Sequence, residues 1–143
     1  MIKYILSINK NSANALYVGS KKHEFRKRFP KYVGEARIFL YETSPVKAIT
    51  GAIICSPPIE GSIDSMCSLL GPNSFDTEKT LRKYFGDSPN GYALPVIHVE
   101  RFKRSVSLDE IRSLLRKFTP PMSFLSLENE KYGDFRKYLA GVK

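Results

Sequence analysis

From Lys21 to Lys31 six cations surround a single carboxylate, Glu24, in the run Lys-Lys-His-Glu-Phe-Arg-Lys-Arg-Phe-Pro-Lys. Arginine grips a phosphate or a base edge with two parallel N–H donors, whereas lysine presents a mobile point charge. A glutamate among them either neutralises its neighbours or accepts a hydrogen bond from a nucleobase amino group. The apolar positions of residues 22–29 alternate with period two. That pattern puts Lys22, Glu24, Arg26 and Arg28 on one strand face and His23, Phe25, Lys27 and Phe29 on the other. Lys21, Lys22, Glu24, Arg26 and Arg28 are therefore the candidate ligand-contacting residues. A plainer reading of the same segment is a strand edge whose charges discourage aggregation. Lys21 and Glu24 also form a compact proton donor and acceptor, so a proton-transfer role is the alternative to simple binding.

The charge is uneven. Residues 1–47 hold +7 of the formal +9, which favours a local surface for a polyanion over general solubilisation. Eight tyrosines and nine phenylalanines could stack on unpaired bases, although most occupy predicted core positions. Tyr32, Tyr41 and Phe124 have turns or polar neighbours and are the stacking candidates. Nucleophile and phosphate-loop motifs are absent: G-x-S-x-G, G-x-G-x-x-G and G-x-x-x-x-G-K-[ST] do not occur. His23 and His98 read as strand residues. With Cys55 and Cys67 they lack the paired spacing of a structural zinc site, so neither a metal nor another cofactor is expected, and the cysteines read as reduced.

The elements that must position these residues are legible in outline. Tyr4–Ile8 reads as a strand, with Asn9 opening a helix that Gly19 closes. Strands follow at 22–29, 37–41 and 48–55, with a turn at Ser44-Pro45. Pro57-Pro58 breaks the run, and weak helices are predicted from Ser62 through Leu70 and from a cap near Asp76 to Gly86. A long strand at 92–102 is interrupted at Pro95. Ser107-Leu108-Asp109-Glu110 has capping-box spacing and opens a helix reaching Phe118, and a last helix spans 130–139. The apolar runs are too short for a membrane span, and the N-terminus lacks a signal-peptide core, so a cytoplasmic protein is expected. One domain over residues 1–143 fits the length, and nothing in the sequence decides the oligomeric state, although a monomer is favoured. The expected class is α+β: a small mixed or antiparallel β-barrel of about five to six strands flanked by short helices.

The order of Tyr4-Ile5-Leu6-Ser7-Ile8, Gly19-x-Lys21-x-x-Glu24-Phe25-Arg26 and Tyr41-Glu42-Thr43-Ser44-Pro45-Val46-Lys47-Ala48-Ile49 resembles the ASCH domain of the PUA-like superfamily. The resemblance continues through Gly91-Tyr92-Ala93 and Val99-x-Arg101-Phe102 to Pro120-Pro121-Met122-Ser123-Phe124, covering about residues 4–127. It implies a helix-flanked barrel with a cleft for RNA or a nucleotide-like ligand, in RNA-binding or transcription-associated modules. It also implies two activities found among relatives, N4-acetylcytidine amidohydrolysis and RNA cleavage. In the amidohydrolase branch a G-x-K-x-x-T pattern supplies the catalytic Lys and Thr; Lys21 matches the Lys, and Glu24 stands in place of the Thr. Glu60 is aligned with that branch's later acidic residue, and Met122 replaces a common Gln. The resulting expectation is an RNA-binding module whose cleft is lined by Lys21, Lys22, Glu24, Arg26, Arg28, Tyr41, Ser44, Ser123 and Phe124. In the alternative, a hydrolase, Lys21 and Glu24 are catalytic.

Overall fold

A computed structural model describes residues 1–143. The element order is β1 (Ile2–Ile8), α1 (Lys10–Val18), β2 (His23–Arg26), β3 (Ala36–Glu42), β4 (Ala48–Cys55), β5 (Ile59–Ser62), α2 (Ile63–Ser68), α3 (Glu78–Phe85), β6 (Asn90–Ser107), α4 (Leu108–Leu114), β7 (Phe124–Ser126) and α5 (Gly133–Ala140). The strands form one mixed, curled sheet in the order β2-β6-β4-β3-β1-β7, with β5 also paired to β6. Only β1 and β3 run parallel, from Ile2 opposite Ala36 to Ile8 opposite Glu42. The expected α+β class with short flanking helices is the one found, with the expected barrel of five to six strands realised as a seven-stranded sheet curled into a half-barrel.

Two of those strands escape sequence reasoning. β5 has four residues and β7 three, and neither shows a sustained alternation. Conversely, β6 runs unbroken for 18 residues where a break was expected at Pro95. Proline is tolerated there because β6 changes neighbours: Pro95 lies opposite His23 at the end of the β2 ladder, and β4 takes over from Val96 onward.

Capping chemistry sets the helix bounds. The Asn9 side chain accepts from the Ser12 N–H, and Gly19 at φ 84° ends α1 in the left-handed conformation that glycine adopts without strain. Thr77, one residue past the expected Asp76, caps α3 through a reciprocal box with Thr80. At α4 only half of the expected box forms: Ser107 accepts from the Glu110 N–H, while the Glu110 carboxylate turns to Arg104 at 2.9 and 3.0 Å. That helix stops at Leu114 rather than continuing to Phe118.

The sheet is buried on both faces. One holds Tyr4, Leu6, Ile8, Leu16, Ile38, Leu40 and Ile53. The other holds Ile5, Phe39, Tyr41, Ile49, Phe102, Ile111, Phe135 and Leu139 beneath α4 and α5. A third, smaller cluster joins α2 and α3 to β2 and β6 through Met66, Leu81, Phe85, Phe25 and Ala93. Packing α3 there requires Gly91, because the Phe85 ring lies where any Cβ at position 91 would stand. No helix is long and apolar enough to cross a membrane.

Candidate nucleic-acid site

The turn after Gly19 places Lys21 between three parts of the chain. Its N–H donates to the Ala15 carbonyl in α1, and the neighbouring Ser20 carbonyl accepts from Phe75 N–H in the loop before α3. The Lys21 side chain is 6 % exposed, and its ammonium lies 3.2 Å from Glu24 Oε1 and 2.6 Å from Asp76 Oδ2. Strand β2, zipped to β6 with Glu24 opposite Leu94 and Arg26 opposite Tyr92, fixes the next links. Arg26 Nε and Nη2 donate to Glu24 Oε2 at 3.0 and 2.7 Å, and Nη2 donates again to the Ser7 carbonyl at 3.0 Å. Asp76, Lys21, Glu24 and Arg26 thus form a chain of alternating charge ending at the tip of β1.

Isolated charges at this depth would carry a desolvation cost of several kcal/mol each. Alternation removes most of it, and it leaves the four groups with no net charge. Together with Ser7, Asn9, Ser12 and Tyr84 they line a cleft of about 300 Å³. Tyr84, 43 % exposed, stands at its edge, and the Lys27 ammonium lies 5.5 Å above its ring. Phe75, also exposed, lies 5.9 Å from the Lys21 ammonium on the far side. Burial and the Lys21 charge push the His23 imidazole below its ordinary range. Burial, with the Glu24 charge added, pushes the Cys55 thiol well up, so it is inert. Cys67 is the second free thiol.

The structure distributes the expected site residues over several surfaces. Lys21, Glu24 and Arg26 meet in the cleft, and Ser123 Oγ stands 3.5 Å from Arg26 Nη1 at its rim. Lys22 faces a second depression beside His23 and Pro72, and Arg28 and Phe124 a third beside Tyr92. Ser44 lies exposed in the β3–β4 turn, outside the lining of the cleft. Tyr41 is 2 % exposed and packs in the core under α4 and α5. Its polar neighbours and the turn after it make it a stacking candidate in the sequence, whereas in the fold α4 and α5 cover that face of the sheet. Tyr32 is likewise buried, with its hydroxyl donating to the Ser56 carbonyl at 2.6 Å.

Glu60, aligned in sequence with the later acidic residue, sits instead beside Tyr92 and Lys31. The second carboxylate on Lys21 is Asp76. Nothing near position 76 in the sequence points to Lys21, 55 residues away, because the pairing depends on how the loop before α3 folds back. Tyr84 escapes sequence reasoning for a related reason: it adjoins the buried Leu81 and Phe85 in α3 and reads as part of their apolar stripe.

No family profile matches this chain. An "ASCH domain-containing ribonuclease" of Zymomonas mobilis is 29 % identical over 127 residues, covering 89 % of this chain and 85 % of that protein. The crystal structure of ASCH from Zymomonas mobilis superposes with a TM-score of 0.85 at 27 % identity, over 99 % of this chain and 96 % of that one. The chain is similar in sequence and fold to this ASCH protein over most of its length. A tyrosine-to-phenylalanine variant of the same Zymomonas mobilis protein also superposes at 0.85, with 26 % identity and 99 % of each chain covered. The N-terminal domain of Staphylothermus marinus McrB shares the fold alone, at a TM-score of 0.59 and 13 % identity over 94 % of this chain and 93 % of that one. Within the ASCH fold, the Asp76–Lys21–Glu24–Arg26 chain is a fixed arrangement of donors and acceptors at the bottom of a hollow with an aromatic edge.

Proposed function

We propose that this ASCH-like domain binds RNA, with one nucleotide in the cleft lined by Lys21, Glu24, Arg26 and Asp76. The observation that carries the reading is a pre-paired polar network sunk below an exposed tyrosine. Bases of unpaired RNA are held by stacking on such rings and by hydrogen bonds to their edges. Tyr84 supplies the stacking face, Glu24 and Arg26 the acceptor and donor for a base edge, and Ser123 a further hydroxyl at the rim. Lys22 and Arg28, outside the network, contact phosphates. The ribonuclease name of the Zymomonas mobilis relative agrees with RNA as the ligand. Filter binding of single-stranded RNA across a salt series tests the reading. Log affinity should fall linearly with log salt, and Arg26→Ala should weaken binding at every salt concentration. No binding to single-stranded or structured RNA at low salt would refute it.

A second reading, cleavage of the bound strand, is favoured by that relative's name and by a carboxylate and an ammonium 3.2 Å apart in one cleft. In it Glu24 takes the 2′-hydroxyl proton as O2′ bonds to phosphorus. Lys21 gives a proton to the departing O5′ as the P–O5′ bond breaks, leaving a 2′,3′-cyclic phosphate and a 5′-hydroxyl. Loss of cyclic-phosphate product in Lys21→Met, with RNA binding retained, is the expected signature. Deacetylation of N4-acetylcytidine, the other activity implied by the resemblance, would need a different nucleophile, because position 24 offers a carboxylate instead of a hydroxyl.

A further inference from the structure

A second hollow, of about 650 Å³, has Lys27, Arg28, Asn90, Tyr92 and Phe124 among its walls. It differs from the cleft in its electrostatics. Lys27 and Arg28 are exposed and neither takes part in an ion pair. The one carboxylate in the wall, Glu60, accepts from the Tyr92 hydroxyl at 3.0 Å and lies 3.9 Å from Lys31. Free cations beside half-buried aromatic rings suit a phosphate with its attached base, since the charge is available and the rings offer a face.

The two hollows meet at Lys27 and Tyr84. Lys27 lines the larger hollow, yet its ammonium lies over the Tyr84 ring of the cleft. Ser123 stands against Arg26 in the cleft, and the next residue, Phe124, lines the larger hollow and packs on Phe29 at 4.9 Å between centroids. A strand leaving the cleft past Tyr84 and Lys27 therefore runs toward the larger hollow.

We propose that the Lys27–Arg28–Tyr92–Phe124 hollow is a subsite for the nucleotide adjoining the one in the cleft, which makes an oligonucleotide rather than a free nucleoside the ligand class. The proposal rests on the RNA-binding reading of the cleft. Phosphate is held by Arg28 with Lys27 beside it, and the second base lies against Phe124 and Tyr92, with Asn90 at its edge.

The test compares affinities for a 2′-O-methyl mononucleotide and the matching dinucleotide, which resist cleavage, by competition against a labelled single-stranded RNA. Wild-type protein should gain about tenfold on going from one nucleotide to two, the size expected of a charge-assisted contact. The Lys27→Ala/Arg28→Ala variant should lose that gain, read as the ratio of its dinucleotide to its mononucleotide affinity, and Arg28→Lys should retain part of it. Both side chains are exposed, so thermal melting should confirm an unchanged fold. A gain that survives in the double variant, a parallel loss for both ligands, or no gain in the wild type would overturn the subsite and leave the cleft reading standing. Failure of the wild type to bind either ligand or the labelled RNA would overturn both.

Discussion

The cleft and the hollow beyond it use the same residue types to opposite ends. In the cleft, cations and carboxylates are buried and matched, so their geometry is rigid and their net charge is nil. In the hollow, cations are exposed and unmatched, so their geometry is loose and their charge is available to a ligand. The difference teaches that a basic segment is not one unit: Lys21 and Arg26 are tied into ion pairs with Glu24, while Arg28, two residues from Arg26, has no such partner. Under the proposed reading, shape discrimination belongs to the first region, and salt-sensitive attraction to the second.

The sharpest break between them should appear in stability. Glu24 is 4 % exposed and is the shared acceptor of Lys21 and Arg26. Glu24→Ala leaves two buried cations facing each other and should cost about 3–5 kcal/mol in urea unfolding. Arg28→Ala, on the surface, should shift the same curve by less than about 0.5 kcal/mol. Comparable losses for the two variants would erase the distinction.

A double-mutant cycle sharpens it pair by pair. Lys21→Met with Asp76→Asn should give a coupling above about 1 kcal/mol, since the Lys21 side chain is only 6 % and the Asp76 side chain only 17 % exposed. The Lys31–Glu60 pair has side chains 84 % and 44 % exposed. Its cycle should stay within about 0–1 kcal/mol. If both cycles returned equally small values, burial of the network would not be what holds it.

The salt dependence of RNA binding reads the second region directly. Removing one phosphate contact from a single-stranded ligand lowers the magnitude of the log–log slope by about 0.7. Arg28→Ala should produce that change with little effect on folding. A slope indifferent to Arg28 but sensitive to Arg26 would move the phosphate contact into the cleft.

The smallest expected effect concerns His23, whose pKa is lowered first by burial and then by the Lys21 charge. A base with a depressed folded-state pKa is neutral when the unfolded chain is already charged. Its contribution to stability is therefore present above the ordinary histidine value, about 6.5, and is lost as pH falls through the folded value. In Lys21→Met the His23 resonances, followed by NMR, should titrate at higher pH than in the wild type. No movement would mean that Lys21 does not act on His23.

Much of this arrangement was readable in advance, and the misses share a cause. The α1 caps Asn9 and Gly19, and the breaks at Ser44-Pro45 and Pro57-Pro58, are local chemistry, and they fall where the residue types put them. So does the alternation that aims Glu24 and Arg26 the same way. β5 and β7 went unseen because three- and four-residue strands are defined by their partners in β6 and β1 rather than by pattern. Tyr41 looked like a surface aromatic because nothing local reveals that α4 and α5 roof the second face of the sheet.

The sequence by itself determined the family resemblance, the local excess of positive charge, and the strand that aims Glu24 and Arg26 the same way, because each depends on composition or short-range periodicity. Tertiary structure alone decided that Asp76 closes the network, that Tyr84 stands over it, and that Arg28 is left free. Those outcomes depend on contacts between segments as much as 55 residues apart. The energy of a charged group is set by what surrounds it in space, and the linear order of residues does not contain that environment.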